Sequence, residues 1–133
     1  MWPFGRFLRR ARLGPHGERL AAKFLRRQGM KVLARNYRCP VGEADLIVLD
    51  GSTRPRQGAE TIVFVEVKTK ASDHFTNPES AVNAEKRRRI KKVAGYYLAS
   101  RATEGLNVRY DIVAVVIRKG EKARIRHIPA AFQ

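Results

Sequence analysis

The sequence predicts an α/β fold, a mixed sheet flanked by helices in the order αβββαβ, closed by a short last strand. Three observations lead there. Apolar residues recur at helical spacing in two segments, several Val/Ile/Phe-rich runs have strand length, and the first three runs are joined by connections short enough for an antiparallel meander. The long second helix then bridges the third and fourth strands, which places helices against a sheet.

Leu20, Ala21, Phe24 and Leu25 share one helical stripe over residues 17–28, and Gly29 suits the left-handed position just past a helix end. Residues 31–37, 43–50 and 60–70 read as strands one to three. Between the last two, Gly51, Ser52, Pro55 and Gly58 make 51–58 a connector. Asn77-Pro78 marks the turn into helix two, 78–101, with Val82, Ile90, Val93, Ala94, Tyr97 and Leu98 on one stripe and Lys or Arg opposite. A break at 103–107 precedes strand four, 108–118, which is apolar enough to be covered on both faces. Residues 123–128 form the final strand.

The chain has 133 residues, 44% of them hydrophobic, enough for one core. We read a basic N-terminal arm over 1–14 and a single domain over 15–133. The arm has Trp2, Phe4, Phe7 and Leu8 among arginines but no continuous apolar run, so it reads as a frayed basic tail rather than a signal peptide, with a transit-like or membrane-surface arm as the alternative. No stretch approaches the ~20 apolar residues of a transmembrane helix. The single Cys39 excludes an internal disulfide, and His16, His74 and His127 are too scattered for structural zinc or a Ser/His/Asp site. A reducing, cytoplasmic setting is the plain expectation.

With 28 Lys and Arg against 12 Asp and Glu the net charge is +16, and a polyanion is the natural partner. Residues 1–35 hold ten basic residues and one acid, Glu18; 86–92 hold six basic residues and 118–126 five. Such clusters neutralise phosphates without reading bases, so nucleic-acid binding is expected to be salt-sensitive, with Arg87, Arg88 and Lys91 as contacts. A merely solubilising surface and acidic lipid are the competing readings.

On so basic a chain, acids inside apolar runs are informative: Asp45, Glu66 and Asp111 each interrupt a strand. A buried carboxylate must be paired, hydrogen-bonded, neutralised or near a metal. Glu66 and Lys68 point to one face of their strand. If strands two and three pair, Asp45 comes within reach of Glu66. Two carboxylates and a lysine would then suit phosphodiester hydrolysis with a hard cation, the acids holding Mg²⁺ or Mn²⁺ and the lysine orienting water. A Glu66-Lys68 surface pair with an unrelated Asp45 is the alternative.

In combination, Gly17-Glu18, Asn36-Tyr37-Arg38, the run from Gly42 to Ile47, Phe64 to Lys68, Lys86, and Arg109 to Val113 resemble the YraN family of small bacterial proteins. That family is regarded as a branch of the PD-(D/E)XK nuclease superfamily, similar to archaeal Holliday junction resolvases. The resemblance spans residues 15–118 and implies a restriction-endonuclease-like core, with Asp45 and Glu66 as metal ligands, Lys68 as the lysine and Glu18 as the helix-borne acid. Ala44 stands where the superfamily has Pro before the Asp. Glu18 equally suits favourable placement at a helix start. Glu43 reads as an outer ligand or a surface charge. Lys86, on the apolar stripe of helix two, is expected to meet an acid on the sheet, Asp111 being one candidate; Asp111 is otherwise a structural acid. The function expected is a metal-dependent endonuclease on DNA, branched or structured DNA included. The alternative is a non-catalytic nucleic-acid-binding module. Pairing as a homodimer stays open.

Overall fold

In the computed structural model, residues 3–51, 60–71, 82–101 and 106–133 are described, with side chains from residue 14 onward. Seven elements follow the chain: α1 (Pro3–Arg27), β1 (Lys31–Cys39), β2 (Gly42–Asp50), β3 (Thr61–Lys70), α2 (Ala84–Ala99), β4 (Asn107–Val116) and β5 (Arg124–Phe132). The five strands form one sheet in the order β1-β2-β3-β4-β5. Pairing is antiparallel except between β3 and β4, which run parallel because α2 carries the chain back. The αβββαβ order and the mixed sheet between two helices accord with a restriction-endonuclease-like core.

Each helix covers one face. Ala21, Ala22 and Leu25 of α1 pack with Leu46, Val48, Val63, Val65, Val113 and Val115. On the other face Ile90, Val93, Ala94 and Tyr97 of α2 pack with Ile47, Ile62, Phe64 and Ile112. The central strands β2, β3 and β4 are therefore apolar on both sides, as a sheet buried between two helix layers requires.

Element bounds differ from the sequence reading at three places. α1 begins at Pro3, so helical backbone runs through the stretch read as an arm and on past Pro15. α2 begins only at Ala84, because extended Asn83 accepts the Lys86 N–H with its side chain and so caps the helix. β5 reaches Phe132, since left-handed Ala130 (φ 49°) lets the strand resume pairing with Tyr110. The connector at 51–58, the Asn77-Pro78 turn and most of the 103–107 break lie outside the described residues.

At Gly17 the first helix comes so close to β3 that any Cβ would overlap the Thr69 side chain. This contact sets the height of α1 over the sheet and the reach of its neighbour Glu18. Gly17→Ala is expected to lower stability by about 1–3 kcal/mol, the usual cost of overpacking, in denaturant unfolding. An unchanged midpoint would show that α1 is not seated at this point.

Candidate functional site

The site starts with a break in sheet pairing. The β2-β3 register runs from Asp50↔Thr61 to Leu46↔Val65 and goes no further. At the next position Asp45 turns its carboxylate toward β3, and Oδ2 accepts the Val67 N–H at 2.8 Å. A side chain thus takes a hydrogen bond from a strand that β2 is leaving.

A second irregularity coincides with it. Ala34 and Tyr37 of β1 lie on the α2 face, as do Ala44 and Ile47 of β2. A regular strand returns to one face every second residue, so three-residue spacing in both strands means the alternation slips. Arg35↔Leu46 and Tyr37↔Ala44 bracket the slip at Asn36 and Asp45, and Asn36 has left-handed backbone, φ 50°.

Glu18 reaches this break from α1 and hydrogen-bonds both Asn36 and Asp45. Burial raises the Glu18 carboxyl above its ordinary value, against the opposing effect of these hydrogen bonds and of Arg35. Asp45 is pushed up to about 7, first by burial and then by the charges of Glu66, Glu18 and Glu43, while the Val67 hydrogen bond opposes. Both carboxyl groups therefore keep their protons more tightly than free ones do.

Glu66 and Lys68 face α2, where Lys68 Nζ and Lys86 Nζ each lie 3.7 Å from Glu66 Oε1. Lys86 thus meets an acid on the sheet, and that acid is Glu66, not Asp111. Burial lowers the Lys68 ammonium below its ordinary value, with Lys86 beside it adding to the shift.

Asp111 belongs elsewhere. It is fully buried on β4, opposite Val65, and so lies on the α1 face. Arg109 Nε and Nη2 donate to its two oxygens at 2.8 and 2.9 Å, Ala130 N at 3.0 Å, and His127 Nε2 lies 2.7 Å away. Arg109 also pairs with buried Asp50 at 3.0 Å. Burial works against the Asp111 charge, but the bonds from His127, Arg109 and Ala130 prevail and hold its carboxyl below the ordinary range. It is a structural acid that ties β5 to β4.

Among the remaining expected site residues, Glu43 is exposed and pairs with Arg38 at 3.5 Å, so it influences the site only through its charge. Arg87 is turned inward: Nε donates to the Val82 carbonyl at 3.0 Å and the guanidinium lies over the Phe132 ring. Arg88 and Lys91 are exposed on α2. Tyr97 is core. Asn36 was not singled out in the sequence as a site residue; its only signal is that Asn tolerates left-handed backbone.

The donors gathered here are hard carboxylate oxygens, which suit Mg²⁺ or Mn²⁺. Among the described residues no group of three Asp, Glu, His or Cys side chains is placed to hold a metal ion. The residues therefore fit a partly hydrated ion held by one or two carboxylates, the usual manner for Mg²⁺.

The fold defines an α/β protein with a restriction-endonuclease-like core. The chain belongs to the family described as uncharacterised protein family UPF0102, whose profile matches residues 17–115. This is the YraN family that the motifs resembled. It is similar to a UPF0102 protein of Syntrophotalea carbinolica, 43% identical over 123 residues covering 92% of this chain and 93% of that one. A UPF0102 protein of Moorella thermoacetica is 41% identical over 124 residues, covering 92% and 97%. One of Nocardia farcinica is 43% identical over 120 residues, covering 90% and 88%.

A carboxyl that keeps its proton more tightly in the fold than in the unfolded chain adds full stability below about pH 3.8, and that stability is lost as pH rises through about 7. In metal-free buffer Asp45→Asn, which cannot ionise, should melt with the wild type at pH 4 and roughly 5 °C above it at pH 8. A variant melting at or below the wild type at pH 8 would contradict the geometry described.

Proposed function

We propose that this protein is a Mg²⁺- or Mn²⁺-dependent endonuclease that hydrolyses phosphodiester bonds in DNA. The observation that supports it best is the convergence of Glu18 and Asp45, joined by a hydrogen bond, at the place where β2 leaves β3, with Glu66 close enough to raise Asp45 by its charge. A cation would lift the repulsion among these carboxylates, and it would acidify a water and stabilise charge on the phosphate.

In this reading Asp45 and Glu66 hold the ion, and Glu18 completes the site beside Asp45. Lys68, whose ammonium is half-buried and partly relieved of its proton affinity, orients the attacking water. Lys86 stands on the same side of Glu66, where a phosphate oxygen would meet its ammonium. Arg88 and Lys91 extend the positive surface outward along α2 and bind backbone phosphates without base readout. Cys39, a free thiol, goes with a reducing cytoplasm. Among the described residues no helix is long and apolar enough to cross a membrane. Cutting both strands of a branched DNA would call for a second copy of the chain.

A second reading has an observation of its own. Glu66 already faces two ammonium groups, and no three-acid cage is preformed among the described residues, which favours a binding module that keeps the nuclease fold without its chemistry. Incubation with linear, nicked and four-way-junction DNA separates the two. The first reading expects cleavage only with Mn²⁺ or Mg²⁺, reduced at least about 100-fold in Glu66→Ala/Lys68→Ala, since single positioned charges already contribute that much. Equal cleavage by wild type and double variant would remove the proposed site, and no cleavage with salt-sensitive binding intact supports the module instead.

A further inference from the structure

We infer that the outer face of α2 is a docking surface for single-stranded DNA, on which the Tyr96 ring stacks against an unpaired base while Arg88 and Lys92 meet the phosphates beside it. The inference rests on the DNA reading above and narrows the substrate to strands with unpaired bases.

Four large hydrophobic side chains are exposed among the described residues, and Tyr96, at 46%, is the one aromatic. A single exposed side chain needs no explanation. Its neighbours give this one a meaning. Arg88, Lys92 and Tyr96 follow at four-residue spacing, so they form one row along the helix, and all three are exposed. Arg89, seven residues before Tyr96, lies on the flank where the β1-β2 turn is seated, for a Cβ at Gly42 would meet its Cγ at 3.0 Å. Val41 in that turn is 41% exposed and adds apolar surface.

Tyr97 makes the contrast. Its ring is buried, packed edge-on against Tyr37 and Phe64, with the Arg101 guanidinium 3.8 Å from its centroid. Among the described residues no ring or guanidinium packs on Tyr96 in this way. Core packing thus accounts for one tyrosine of the pair and not for the other. Gly95 is exposed too, and a Cβ there would meet nothing within 4 Å. Glycine is a poor helix former, so packing within the chain does not call for it. Among these cations it leaves room for a sugar-phosphate backbone to approach the helix closely.

Charge and ring together name the occupant. The exposed surface of α2 carries Arg88, Arg89, Lys91 and Lys92 against one acid, Glu85, which pairs with Arg89 at 3.2 Å. Such a surface attracts a polyanion. In duplex DNA the base faces are stacked on one another, whereas an unpaired base offers its whole face to an aromatic ring. Lys86, ten residues and about 15 Å back along the same helix, lies 3.7 Å from Glu66, so a strand laid on this face leads to the carboxylates.

The test is an anisotropy titration of labelled oligo(dT), and of a blunt duplex of equal length, with the full chain in EDTA over a salt series. Wild type, Tyr96→Ala, Tyr96→Phe and Lys92→Ala are compared. We expect Tyr96→Ala to bind oligo(dT) about 5- to 100-fold more weakly, with salt dependence, duplex binding and melting temperature little changed. Tyr96→Phe should keep wild-type affinity. Lys92→Ala should flatten the slope of log affinity against log salt by about 0.7, the share of one phosphate on a single strand. Wild-type affinity in Tyr96→Ala, an equal loss on duplex, a Phe variant as weak as the Ala variant, or an unchanged slope in Lys92→Ala would overturn the inference. So would a Tyr96→Ala defect confined to anionic phosphatidylserine vesicles. Because EDTA removes any metal-dependent step, absent cleavage with Mn²⁺ while the Tyr96 effect persists counts against the endonuclease reading alone.

Discussion

The rest of the site depends on one hydrogen bond, from the Val67 N–H on β3 to the Asp45 carboxylate on β2. It forms where the two strands stop pairing, and it makes an acid part of the sheet's own hydrogen-bonding scheme. A carboxylate fixed in that way cannot swing out to water. Its neighbours Glu18 above and Glu66 alongside then raise the cost of its charge. Burial and like charge act in the same direction, and a proton or a cation is the response open to such a group.

The molecule contains a counterexample that makes the contrast informative. Asp111 is more deeply buried than Asp45, yet its carboxyl is held below the ordinary range because Arg109, His127 and the Ala130 N–H surround it with donors. Asp45 has one donor from the backbone and three carboxylates around it. Two acids on one sheet are thus driven in opposite directions by their surroundings. The one whose charge is fully compensated ties strands together, and the one left uncompensated is where chemistry is to be sought.

The architecture was legible from periodicity alone, because two helices burying three central strands leave apolar stripes at two distinct spacings. Asp45, Glu66 and Lys68 could be brought together in advance since strands joined by short connections pair, and Lys86 was placed correctly against an acid because it interrupts the apolar stripe of α2. Other features were not legible for physical reasons. The slip at Asn36 and Asp45 breaks the alternation on which any assignment of strand faces relies, so Asn36 was passed over. The Arg109-Asp111-His127 arrangement needs β4 and β5 in register, with a left-handed residue at Ala130, and local sequence does not announce that. Arg87 read as one more surface cation of a basic run, and its inward turn shows only in the Val82 carbonyl and the Phe132 ring that it meets in the fold.

The central claim is that Glu18, Asp45 and Glu66 mark one cation-binding point at the parting of β2 and β3. Amide NMR of the ¹⁵N-labelled chain during addition of substoichiometric Mn²⁺ tests it most directly, because the paramagnetic ion broadens only nearby signals. The account predicts that the amides of Glu18, Asn36, Asp45 and Val67 broaden first, while those of Asp111 and His127 stay sharp. Broadening spread evenly over the exposed acids, or centred on Asp50 and Asp111, would contradict it.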